Sequence, residues 1–301
     1  MKTFFSLTKR NTKIFFKDKA MFFCSLITPI ILLVLYSTFL AKVYKDAFRS
    51  SIPEGVDVSP SLINGLVGGQ LVSSLLAVSC ITVAFCANIL MVQDKANGVY
   101  KDFLISPIKK SKLSLSYYAS TLLSTLIVGF VALVACLIYI AFSGWFMSIA
   151  DIILMIIDIF MLSMLGTAMA SIVNIFLSSN GQASAVGTIV SSGYGFISGA
   201  YMPLSQFGVG LQRALSFLPG TYGTSLLRNH AMNGAFREMS KQNFPPDVVE
   251  KIKDSVDANL YFFGKKVSIG AMYGILITSV VVLVGIFVLI NIIKSKKVKK
   301  A

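Results

Sequence analysis

The sequence predicts an all-α integral membrane protein with six transmembrane helices and both termini on the cytoplasmic side. Three observations predict it. Of 301 residues, 55% are hydrophobic and 13% charged, with a mean hydropathy of +0.77. A soluble domain carries roughly a quarter charged residues, so this chain lacks the polar surface a water-soluble globule needs. Uncharged runs extend from Lys19 to Lys42, from Asp57 to Asp94 and from Lys112 to Asp151. Each can supply the about 20 apolar residues needed to cross a hydrocarbon core roughly 30 Å thick. Basic residues, finally, collect at the two ends and in one loop, as the positive-inside rule demands of the cytoplasmic face. The runs are continuous and not alternating, which excludes a β-barrel.

Residues 1–19 read as an amphipathic interface helix. At 100° per residue Phe4, Leu7, Ile14 and Phe15 share one side, and Lys2, Lys9, Lys13 and Lys17 the other. The helix is a topology anchor or a docking surface for a cytosolic partner. Residues 20–301 form a single membrane domain with spans at 20–41, 65–92, 115–142, 151–177, 183–202 and 267–293. The first span is longer than the apolar core of a signal peptide and follows a 19-residue lead, so no cleavage is expected.

Six basic residues lie in 1–19, five in the loop 93–112 and five after residue 293. Asp18, Asp94 and Asp102 are the acids on that side. The net charge of +14 therefore belongs beside anionic lipid and implies no nucleic acid. The loop 93–112 mixes charges with apolar residues at helical spacing, Val99, Phe103 and Leu104 sharing a face, before Ser106-Pro107 breaks it. It reads as a short helix projecting into the cytoplasm, suited to contact with another protein. The segment 203–266 is external, with a helix expected over 247–260 behind Pro245-Pro246.

Four features resemble the membrane subunit of ABC-2 type transporters, the permease half of bacterial exporters with the type V fold. These are the basic lead Phe4 to Lys19, the loop Asp94-Lys95-Ala96-Asn97-Gly98-Val99-Tyr100-Lys101-Asp102-Phe103-Leu104-Ile105-Ser106-Pro107, the segment Gly199-Ala200-Tyr201-Met202-Pro203 after span five, and Phe217-Leu218-Pro219-Gly220-Thr221-Tyr222 leading to Leu226-Leu227-Arg228. Asp94 stands where the family usually has Glu. The resemblance implies a homodimer, one ATPase (nucleotide-binding) subunit per half, and re-entrant helices between spans five and six. It places partner-ATPase coupling on Asp94, Gly98, Val99, Tyr100, Phe103, Leu104 and Pro107, with Lys9 and Lys13 on the lead helix. The translocation path or outer gate would involve Asp158, Gly195, Phe196, Gly199, Tyr201, Pro203, Pro219, Tyr222 and Arg228.

The chain contains no phosphate-binding Gly-rich loop, so ATP and Mg would be used by the partner and no cofactor is expected on this chain. His230 is the only histidine, which leaves no His-based metal cluster or His-rich proton relay, and Cys24, Cys80, Cys86 and Cys136 read as small hydrophobes. The chain is expected to be non-catalytic. Asp158 is the one acid well inside a span, with Asp151 seven residues earlier on the same face. It hydrogen-bonds Ser, Thr or Asn on a neighbouring helix, lies shallow enough to reach water, or serves a substrate cation or proton. Gly187, Ser191, Gly195 and Gly199 recur every four residues, and Gly166 with Ala170 likewise; such stripes let helices pack closely, the alternative being a smooth translocation wall.

The sequence thus points to a multi-pass permease of an ATP-driven exporter in a bacterial cell membrane. Its cargo would be an amphipathic drug, antimicrobial peptide, toxin, lipid or lipid-linked glycan. The alternative is an ATP-independent secondary transporter or channel.

Overall fold

The computed structural model describes residues 2–50 and 58–298. Asp57, the Asp-side bracket of the second span, and Lys299 and Lys300 of the basic tail lie outside the described residues. The chain is helical almost throughout. Helix α1 (Lys2–Lys17) is separated by Asp18 from α2 (Lys19–Leu35), and the Asp18 side chain caps α2 by accepting from the Met21 amide at 3.1 Å. Helix α2 passes through a π-helical segment, Tyr36–Leu40, into α3 (Ala41–Ser50). The first span therefore does not end at residue 41: the helix runs on through Lys42, Lys45, Asp46 and Arg49.

Helix α4 (Pro60–Ala96) starts at the cap Ser59 with Pro60 in its first turn, where a missing N–H costs nothing. A left-handed turn at Gly98, φ +82°, leads into α5 (Val99–Ile105), and α6 (Lys110–Ser143) follows. Helix α7 (Ile149–Asn174) opens with a capping box between Ser148 and Asp151, and Ser179 caps α8 (Asn180–Ile197). A 3-10 turn at Leu204–Gln206 and the short α9 (Val209–Leu215) precede α10 (Pro219–Lys241). Helix α11 (Pro246–Ser255) stops five residues short of the expected Leu260. Strands β1 (Tyr261–Phe262) and β2 (Lys265–Lys266) form a small antiparallel hairpin before α12 (Ile269–Val298).

Among the described residues, five helices are long and apolar enough to cross a membrane, not six. The missing one is α8. It ends at Ile197 and not at 202, because Gly199 takes φ +71° and the amides of Ala200 and Tyr201 fold back onto the Gly195 carbonyl. Its 18 residues are also diluted with Ser, Gly and Thr.

The core is organised around α4, buried along nearly its whole length and packed by α2, α6, α7, α8 and α10. Within the segment 203–266, α10 is a buried helix running antiparallel to α7. Gly223 packs on Leu162, His230 meets Asp158 and Arg237 meets Asp151. Pro219 thus lies deep beside the middle of α7, and the far end of α10 emerges beside the start of α7. Helix α1 does not rest on lipid alone. Leu7, Thr8, Asn11 and Phe15 are buried, and the helix packs against α6.

Candidate functional site

At the end of the bundle carrying α1 and α5, neighbouring residues of α4 reach different elements because one residue turns the helix by about 100°. Asp94 accepts from Arg10 Nη1 at 2.7 Å and Nη2 at 3.3 Å, and from the Tyr117 hydroxyl at 2.5 Å. Burial disfavours the charge on Arg10, but the hydrogen bonds and field of Asp94 outweigh it and raise its pKa. Lys95 donates to the carbonyls of Asn174, Ile175 and Leu177 at 2.8–3.1 Å, closing the C-terminus of α7. One two-residue step therefore ties α1, α6 and α7 to the base of α5.

On α5 itself, Phe103 turns inward beneath the Arg10 guanidinium, 5.2 Å from its ring centre. Val99, Tyr100 and Leu104 are half-buried; Lys101, Asp102 and Ile105 face out, Ile105 at 86% exposure. Pro107, Lys9 and Lys13 are exposed on the same end. The face that sequence periodicity offers for contact, Val99 with Phe103, is thus partly covered, and Ile105 takes its place. Helical phase gives a face, but only the neighbouring α1 decides which face is free.

In the interior, Asp158 on α7 accepts from the Tyr273 hydroxyl of α12 through Oδ1 and shares a hydrogen bond with His230 Nδ1 of α10 through Oδ2, both at 2.5 Å. Its partners are a histidine and a tyrosine, not the serine, threonine or asparagine that a small hydrogen-bonding neighbour suggested. A signal was present: the one deep acid and the only histidine of a chain need partners in a medium without water. Nearby, Asp151 binds Asn233 at 2.8 Å and Arg237 at 2.5 and 3.1 Å. Arg228, fully buried, donates to the carbonyl of Gly199 at 2.8 Å and stands 3.6 Å from Asp257, whose carboxylate takes the amides of Leu204 and Ser205. Tyr222 donates to the Ser216 carbonyl at 2.6 Å. Asp158, Pro219, Tyr222 and Arg228 are thereby engaged in holding α10 and line no large cavity.

The large cavity lies elsewhere. About 1220 Å³ opens between the α2–α3 helix and α8, floored by Cys86 and Ile89 of α4. Of the residues assigned to a path, Phe196, Tyr201 and Pro203 line it. Of the small-residue stripe, Gly187 and Ser191 line it, while Tyr201 folds back over Gly195, where any Cβ would collide with its ring, and donates to the Ser191 carbonyl at 3.2 Å. Gly166 does serve packing, close against Cys80 and Ile81 of α4. Among the described residues no group of three His, Cys, Asp or Glu is placed to hold a metal.

The family model for the ABC-2 type transporter matches residues 2–231. No curated protein and no solved structure matches the chain.

Proposed function

The chain belongs to the ABC-2 type transporter family, and on that premise we propose that it is the non-catalytic permease subunit of an ATP-driven exporter. It lies in a bacterial cell membrane with both termini in the cytoplasm. It works as a homodimer in which each copy binds a separate ATPase subunit, and that partner uses ATP and Mg. The cargo is an amphipathic molecule, drawn from drugs, antimicrobial peptides, toxins, lipids and lipid-linked glycans.

The observation that carries this reading is α5. A seven-residue helix set two residues past the end of a 37-residue one packs Phe103 beneath Arg10 and leaves Ile105 86% exposed. A large exposed aliphatic between Lys101 and Pro107 suits insertion into a protein groove. Force on α5 passes to α1 through Arg10–Asp94 and Arg10–Phe103, and to α7 through Lys95. The segment α9–α10, which reaches only to the middle of α7, is read as the re-entrant element of the outer half. Such irregular backbone is tolerated at membrane depth where protein satisfies it, as Asp257 does for Leu204 and Ser205.

Ile105→Glu tests the assignment. With the ATPase co-expressed, the variant should extract and elute like the parent, yet lose co-purification of the ATPase and ATP-driven transport together. Unchanged complex formation and transport would remove α5 from the coupling route.

A further inference from the structure

The walls of the large cavity name a class of cargo, an inference that rests on the permease reading above. The chain carries a net charge of +14, yet among the described residues no Asp, Glu, Lys, Arg or His lines this space. Helix α3 makes the point locally: Val43, Tyr44 and Phe48 face the cavity, whereas Lys42, Lys45, Asp46 and Arg49 stay off its wall. The α2 side is aliphatic, with Ile27, Ile31 and Leu35. The lining from Ile27 to Phe48 extends about 30 Å along the helix, which suits an elongated guest.

On the opposite wall, beside Ser184, Ser191 and Gln206, two α8 hydroxyls have their hydrogens engaged within their own helix. Thr188 gives its hydroxyl hydrogen to the Ser184 carbonyl at 2.9 Å, and Ser192 gives its own to Thr188 at 2.8 Å. Around the same space Tyr201 donates to Ser191, Tyr36 to Ala200 at 3.3 Å, and Ser255 to Ile252 at 2.8 Å. A hydroxyl whose hydrogen is held by the backbone shows its guest lone pairs alone. We propose that this cavity selects an uncharged amphiphile, apolar along the α2 side and carrying hydroxyl or N–H donors along the α8 side. An anion entering it would lose hydration without meeting a cation.

The test measures occupancy at Cys86, which lies on the cavity floor. A variant retaining Cys86 alone, with Cys24, Cys80 and Cys136 replaced by Ala, is placed in nanodiscs of neutral lipid and labelled with a maleimide. Decyl maltoside, decyl sulfate and decyltrimethylammonium share one chain and differ in headgroup; each is added below its critical micelle concentration. Decyl maltoside should protect Cys86 saturably, at a concentration at least tenfold lower than either charged probe. Thr188→Val with Ser192→Ala should raise that concentration three- to tenfold and leave the decyl sulfate value unchanged; Ser192→Ala alone serves if the pair fails to elute as folded protein. Equal or better protection by decyl sulfate or by decyltrimethylammonium overturns the inference. So does protection indifferent to the α8 hydroxyls, which would mean partition into the bilayer. The measurement needs no ATPase: discrimination without ATP-driven transport would fell the permease reading alone, and transport without discrimination would fell this inference alone.

Discussion

Asp94 and Asp158 are both buried carboxylates that accept a tyrosine hydroxyl at 2.5 Å, and they differ in their second partner and in their access to water. Asp94 faces Arg10, whose side chain is 31% exposed, on a helix that packs from outside the bundle. Asp158 faces His230 and is itself fully enclosed, with partners on α10 and α12. The first arrangement is a joint, since a guanidinium at the rim can leave and both charges can hydrate. The second is a rivet, since neither α10 nor α12 can withdraw without leaving a carboxylate in a dry interior. Motion is thus permitted where α1 meets α4 and α5, and refused where α10 is seated on α7.

The strongest way to break that contrast is His230→Leu. Removing one partner of a buried pair strands the other and costs about 3–5 kcal/mol, so the folded yield in detergent should collapse and the thermal midpoint fall steeply. Replacing both Asp158 and His230 by Leu removes the stranded charge, and most of the loss should return. A double variant as unstable as the single one would show that charge burial is not what the pair controls.

Arg10→Ala should act more mildly. Asp94 keeps Tyr117, and water can reach the vacated side, so the cost is about 1–3 kcal/mol. The loosened joint should show itself in protease sensitivity of α1 before it shows in the melting of the whole. Arg10→Lys should fall between, because an ammonium cannot reproduce the two-pronged contact or lie as well on Phe103. A fall in stability as large as that of His230→Leu would erase the distinction between joint and rivet.

What the sequence discloses follows the same division between local and distant causes. The starts of α4, α7, α8 and α10 fall at Ser59-Pro60, Ser148 with Asp151, Ser179 and Pro219, local caps and prolines that act within one turn, and the first three precede the expected 65, 151 and 183 by two to five residues. The end of α8 escapes prediction because it depends on Tyr201 folding back onto Gly195, a contact no periodicity encodes. The burial of α10 is hidden in the sequence because Thr221, Ser225, Arg228, Asn229 and His230 make it polar. Their partners lie on α4, α7, α9, at Gly199 after α8 and in the segment around Asp257, or in their own turn. Ile105 likewise went unselected: its exposure is set by where α1 lies.

A third carboxylate, Glu250 on α11, sets the lower limit of the comparison. It binds Lys266 at 2.8 Å and Lys253 at 2.9 Å but is 47% exposed. Those two lysines pull its pKa from 4.5 down to about 2. A depressed carboxylate contributes stability that is present above its unfolded pKa and is lost as pH falls through the folded one. The melting temperatures of wild type and Glu250→Gln should therefore differ by a constant amount above pH 5, and converge as pH falls from about 4.5 to about 2. Solvent screening limits the plateau to under about 1 kcal/mol. A plateau as large as the effect at Arg10 would mean that pairing with a cation, and not enclosure, ranks the three carboxylates.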